Sequence, residues 1–233
     1  MTDRNTNKYL FFSATELLGF FHNNLRGKDI KTQTRRVLEM ARIFLARQDF
    51  RLEDVYCVRV LLRDGGGSDE AAAALGLYFP PERCPVGTIL AGGLAAETPA
   101  DIEVDFSACR APKTYVRAEE PVVRPPFAAA VAADGYVYCA GTRPAAGGDA
   151  RTQAASCLAS LAAILGRAGS GPADVYALTA SLAEKDIPAL AAALADWGGR
   201  ADMVREADTI SRPCGEYLME IACSAELGRP ERE

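Results

Sequence analysis

Asp54-Val55-Tyr56 returns 120 residues later as Asp174-Val175-Tyr176, and that recurrence decides the fold. Thr32-Gln33 recurs as Thr152-Gln153 at the same offset of 120, Phe79 as Trp197 at 118, and Ile102-Glu103-Val104 as Met219-Glu220-Ile221 at 117. Upstream, Tyr9-Leu10-Phe11 matches Tyr136-Val137-Tyr138 at 127. Matches that keep their order while the offset drifts mark two copies of one unit, differing by loop deletions. Each copy therefore aligns the other. Eight residues after Phe79 stands Gly87, and eight after Trp197 stands Arg205. One copy has a guanidinium where the other has no side chain.

Two copies in 233 residues give two globular domains, expected at 1–112 and 121–228, with the boundary in the Pro- and charge-rich stretch 110–124. An apolar content of 49% is ample for packed cores. A net charge of −5 with dispersed basic residues leaves no footprint for nucleic acid. No run of 18 apolar residues and no leader pattern is present, so a cytoplasmic chain without a membrane partner is expected. The seven cysteines contain no C-x-x-C pair and are expected to be reduced core residues. The single histidine, His22, has no ligand cluster around it, so no metal site is expected. Gly65-Gly66-Gly67 lacks a following Lys-Ser/Thr and is taken as a turn rather than a phosphate loop.

In the first copy an apolar run over 8–13 predicts a strand, and Val37, Met40, Ala41, Phe44 and Leu45 give one buried helix face over 32–46. A strand over 55–62, a helix over 69–77 and strands near 88–90 and 101–106 follow. The second copy repeats this order: a strand over 136–139, a helix over 152–165, a strand over 175–182, a helix over 187–197, and strands near 208–210 and 217–224. It also has a strand in front, 127–132, joined through the hairpin turn Asp134-Gly135. The unit is (β)β-α-β-α-β-β, an α+β sandwich with a mixed sheet and two helices packed on one face.

This ordered set resembles the Rid (YjgF/YER057c/UK114) family, which shares the chorismate-mutase-like fold. The elements that carry the resemblance are Ala140-Gly141-Thr142, Thr152-Gln153, Ala173-Asp174-Val175, Trp197 and Met219-Glu220-Ile221, with their counterparts in copy one. The resemblance implies two chorismate-mutase-like domains in tandem and hydrolysis of a reactive imine or enamine bearing a carboxylate, with no metal or cofactor. By that resemblance Arg205 holds the substrate carboxylate through its planar fork, and Glu220 positions the attacking water. Their separation of 15 residues suits two adjacent strands joined by a hairpin. Phe127, Ala140, Gly141 and Ala207 would line the site. In copy one Pro85-Val86-Gly87-Thr88 takes the place of the arginine segment, so that copy is expected to be degenerate. Arg83 is an alternative anchor four residues earlier, and Arg212 another anion-binding candidate.

Several positions depart from the family. Phe127 stands where a tyrosine is usual, Leu190 where an asparagine is usual, and Met203-Val204 precede Arg205 in place of Pro-Ala. Each change makes the site more apolar and suggests a substrate larger or less polar than a small amino-acid-derived imine. Taken alone, Arg205 could pair with Glu206 or Asp208, and strand alternation could turn Glu220 outward. Two rivals to the hydrolase stay open: a repurposed chorismatase-like enzyme with lyase or cyclase chemistry, and a ligand-binding or scaffold protein. The resemblance also implies a homo-oligomer, a trimer of tandem chains, with the Arg205 pocket completed by a copy-one surface.

Overall fold

The structure, a computed structural model, describes residues 8–20, 25–117, 121–145, 147–199 and 202–228; His22 lies outside them. The first unit runs β1 (Tyr9–Ser13), α1 (Ala14–Phe20), α2 (Ile30–Arg47), β2 (Val55–Leu62), α3 (Ser68–Gly76), β3 (Val86–Ala91) and β4 (Ile102–Cys109). The second runs β5 (Lys113–Val116), β6 (Ala130–Ala133), β7 (Tyr136–Thr142), α4 (Ala150–Arg167), β8 (Val175–Leu182), α5 (Ile187–Trp197), β9 (Val204–Asp208), β10 (Arg212–Pro213) and β11 (Met219–Glu226). The strands form two mixed sheets, ordered β1-β4-β2-β3-β10 and β5-β6-β7-β11-β8-β9. In each sheet one pair is parallel, β2 with β3 and β8 with β9.

The repeated residues hold the same joints in both copies. Asp54 accepts a hydrogen bond from the Arg51 N–H at 2.8 Å and Asp174 from the Gly171 N–H at 2.9 Å, each closing a one-turn 3-10 helix before the central strand. The following Val55 and Val175 are buried. Tyr56 and Tyr176 are the extra residues of β-bulges, because the register against β4 and β11 skips one position at each. Gln33 and Gln153 are buried at the starts of α2 and α4. Their amide oxygens accept from the Asp101 N–H at 2.7 Å and the Leu218 N–H at 2.9 Å, tying each helix to the approach of the last strand. Asp29 and Asp149 cap these helices by accepting from Thr32 and Thr152 N–H groups, both at 2.8 Å.

Several expectations need correction. The supposed boundary contains β5, which pairs with β6 and so belongs to the second sheet. The expected loop after β1 begins with α1, giving copy one three helices. The strand expected near 208–210 is β9, and the chain then crosses over: β10 pairs with β3 at the edge of the other copy's sheet. Among the described residues the first sheet has no counterpart of β6.

Alternation sorts each strand into two faces. Val58, Val60, Leu62, Val104 and Phe106 are buried on the face that meets the helices, as are Val37, Leu38, Ala41 and Leu45 of α2. The opposite face of the first sheet carries the row Ser13, Asp105, Arg59 and Thr88, and that of the second the row Glu220, Ser181 and Asp208. These polar faces meet in part. Tyr56 packs on Tyr138 with ring centroids 4.3 Å apart, and Arg124 bridges to Asp69 at 2.8 Å.

Gly87 marks a close approach of copy two to β3. A Cβ there would lie 2.5 Å from the Phe127 ring and 2.5 Å from the Val58 carbonyl oxygen. Gly87→Ala should therefore cost about 1–3 kcal/mol in chemical denaturation. Gly166→Ala in α4, where a Cβ meets nothing within 4 Å, should gain up to about 1 kcal/mol. A neutral Gly87→Ala would contradict the packing of Phe127 on β3.

Candidate active site between the two copies

The two polar faces flank a half-open cavity of about 230 Å3. The first copy contributes Cys57, Arg59, Val86, Thr88 and Leu90 to its walls. The second contributes Tyr138, Gly141, Ser181, Asp208 and Glu220, among others. The size suits a metabolite better than a drug-sized ligand, whose sites run from about 300 to 1,000 Å3.

Glu220 is its most unusual group. It lies on β11, between Gly141 on one side and Ser181 on the other, and only 5% of its surface is exposed. Copy one reaches across to it: the Thr88 hydroxyl donates to the Glu220 carboxylate. Gly141 is obligatory here, since a Cβ at that position would fall inside the carboxylate. Burial raises the Glu220 carboxyl from 4.5 to about 6, against the opposing pull of the Thr88 hydroxyl and of Arg143 and Arg124. Both arginines are anchored elsewhere. Arg124 holds Asp69 and the Cys214 carbonyl, each at 2.8 Å, and Arg143 sits 5.4 Å from the centre of the Tyr217 ring.

Asp208 behaves in the opposite way. Burial pushes its carboxyl up, but hydrogen bonds from Ser211 and Ile210 and the charge of Arg59 outweigh that and leave it lowered. Two carboxylates in one cavity are thus driven apart, one toward holding a proton and one toward staying ionised, the pattern of an acid and an anion in divided roles.

The residues expected from sequence divide between this cavity and other places. Glu220 and Gly141 face each other in the cavity. Ala140 is buried one position away, and Phe127 is buried against Gly87. Arg205 and Glu220 are not brought together. They lie on β9 and β11 with β8 between them, not on adjacent strands of a hairpin. Arg205 stands opposite Leu178, whereas Glu220 stands opposite Ser181, three residues along β8 and so on the other face. Arg205 and Ala207 are exposed on the edge strand and line no part of the cavity. Arg83 and Arg212 are exposed elsewhere, and Leu190 is buried in α5. The registers Val58–Gly87 and Leu178–Arg205 uphold the sequence alignment of Gly87 with Arg205, and it is the face that differs from expectation.

Thr88, Arg59 and Asp208 were not anticipated as site residues. Their signal was faint. Thr88 closes the Pro-Val-Gly-Thr segment, and Arg59 is the one charge inside the strand Val55–Leu62. Glu103, the counterpart of Glu220, faces a part of the first sheet that the second copy leaves half-open; burial, then Asp105 and Glu16, raise its carboxyl. No group of three or more His, Cys, Asp or Glu among the described residues is arranged to hold a metal ion. All seven cysteines are free, and Cys139 and Cys223 face each other across β7 and β11.

Similarity to known structures agrees with this architecture. The whole chain matches a chorismatase with a TM-score of 0.69 at 15% identity, covering 95% of this chain and 76% of that one. A YjgF/YER057c/UK114 family member from Mycobacterium tuberculosis covers 49% of this chain and 99% of its own, at 21% identity and a TM-score of 0.43. RidA from an Antarctic Psychrobacter covers 48% of this chain and 98% of its own, at 19% identity and 0.45. No protein-family model and no curated protein matches the sequence. The chain has the fold of that chorismatase, with two like α+β units in tandem.

The raised Glu220 carboxyl has a thermodynamic consequence. A carboxyl with a higher pKa folded than unfolded binds more protons in the native state, so stability falls as pH rises between the two values. From 4.5 to about 6 the shift corresponds to about 2 kcal/mol. Glu220→Gln should remove this loss. Urea unfolding of both proteins at pH 4 and pH 8 should show the wild type losing about 2 kcal/mol relative to the Gln variant. Parallel pH profiles would contradict a buried, proton-holding Glu220.

Proposed function

We propose that this chain is an enzyme that transfers a proton to and from a small carboxylate-bearing molecule, with Glu220 as the transferring group. The supporting observation is a carboxyl buried in a cavity, with its pKa raised to about 6. A general acid works best when its pKa is near the working pH. Hydrolysis of an enamine or imine fits such a group. The protonated carboxyl gives its proton to the enamine carbon, leaving an electrophilic iminium. The resulting carboxylate then takes a proton from water as the water oxygen bonds to the C=N carbon. The carbinolamine collapses to a ketone and ammonia.

The same residue would serve lyase or cyclase chemistry of the kind considered from sequence, and the likeness to a chorismatase over the whole chain keeps that reading in view. Substrate separates the two. An enamine-generating system releasing 2-aminoacrylate and a set of larger cyclic imines should be turned over by a hydrolase. Ligand binding with no turnover of either would favour the non-catalytic alternative. Location and assembly are further parts of the proposal. No helix among the described residues is long and apolar enough to cross a membrane. The uncovered side of β1 and β4, where Phe11 is 66% exposed, would be closed by self-association into the trimer that the family resemblance implies. The cavity itself is built within one chain.

Turnover should fall as pH rises through about 6, because Glu220 then loses the proton it must give. Glu220→Gln should lower turnover by roughly 100-fold or more, whereas Arg205→Ala should leave it unchanged. Full activity in the Gln variant, or a rate that climbs from pH 5 to pH 8, would overturn the assignment.

A further inference from the structure

We propose that Arg59, from the copy that lacks the expected arginine, is the anchor for a ligand carboxylate, and that Asp208 competes with that ligand for it. The inference rests on the cavity being the reaction site. Among the described residues Arg59 is the only arginine or lysine in the cavity wall. Its neighbour on β3 is Thr88, the residue that holds Glu220, so the guanidinium and the proton-transfer group face one space from opposite copies. Across β4 it stands opposite Asp105, yet it makes no ion pair there among the described residues. Its Nη2 turns instead into the cavity and donates to Asp208 Oδ2 at 3.1 Å.

Asp208 does not need that contact to stay in place. Its Oδ1 accepts from the Ile210 and Ser211 N–H groups at 3.1 and 2.9 Å. Among the described residues the Asp208 bond is the only hydrogen bond the Arg59 guanidinium makes, and the side chain is 45% exposed. A planar fork with donors to spare takes a carboxylate bidentately. An incoming carboxylate can thus displace Oδ2 while the backbone N–H groups continue to hold Asp208. The arrangement selects against neutral ligands, which gain nothing by competing with Asp208. In copy two the position of Arg59 is Thr179, so the anchor exists in one copy only.

Calorimetric titration with pyruvate and with its uncharged amide tests this. Pyruvate should bind the wild type and the amide should not. Arg59→Gln should weaken pyruvate binding about tenfold or more, with Arg59→Lys restoring part of it. Asp208→Asn, which keeps the backbone cap, should tighten binding several-fold. Glu220→Gln should still bind pyruvate while losing turnover, so a failed anchor and a failed acid are distinguished. Unchanged affinity in a folded Arg59→Gln, weaker binding in Asp208→Asn, or no binding of pyruvate by the wild type would overturn the proposal.

Discussion

A single carboxylate, Glu220, is buried between two sheets, and much of the structure follows from making that tolerable. An unpaired buried charge is costly, and the usual relief is either a partner or a proton. Here the relief is partial. Thr88 donates one hydrogen bond, and the fields of Arg143 and Arg124 help from nearby. The carboxyl is therefore left poised near about 6 rather than locked in either form. Gly141 must be bare for the carboxylate to fit, and β3 must approach closely enough for Thr88 to reach. Neither copy could build this environment alone.

That dependence explains why the two copies have diverged. Copy two supplies the acid, and copy one supplies its hydrogen-bond donor and the only cationic side chain of the wall among the described residues. The bare backbone at Gly87 lets the Phe127 ring close the joint, so the glycine reflects an interface rather than simple loss of function. Glu103, the counterpart in copy one, is half-buried and has no such hydroxyl donor among the described residues. Symmetry at the level of sequence becomes a division of labour at the level of packing, because unlike halves of the two sheets meet.

The repeat made the fold legible. The strands Val55–Leu62 and Val175–Leu182 and the helix Ile187–Trp197 have the bounds their patterns predict, since each is punctuated by a cap, a turn or a break. The β5 strand was hidden because its four residues carry no alternation distinct from a linker. β10 was hidden because a two-residue strand has no periodicity at all. At the site, Glu220 was visible through the family resemblance and through the cost of a carboxylate in an apolar strand. The pairing with Arg205 failed because a separation in sequence says nothing of the strand that comes between, here β8. Thr88 and Arg59 could not be anticipated as partners of a residue in the other copy, since which halves of two sheets face one another is a property of their docking.

The central claim is that copy one holds the carboxyl of copy two in a state between acid and anion. Carbon-13 NMR titration of the Glu220 side-chain carboxyl, in the wild type and in Thr88→Val, measures that directly. A value near about 6 in the wild type, moving upward when the Thr88 hydroxyl is removed, is the predicted result. A value near 4.5 that Thr88→Val leaves unmoved would show that Glu220 is solvated and that the cavity between the copies is not where its chemistry is set.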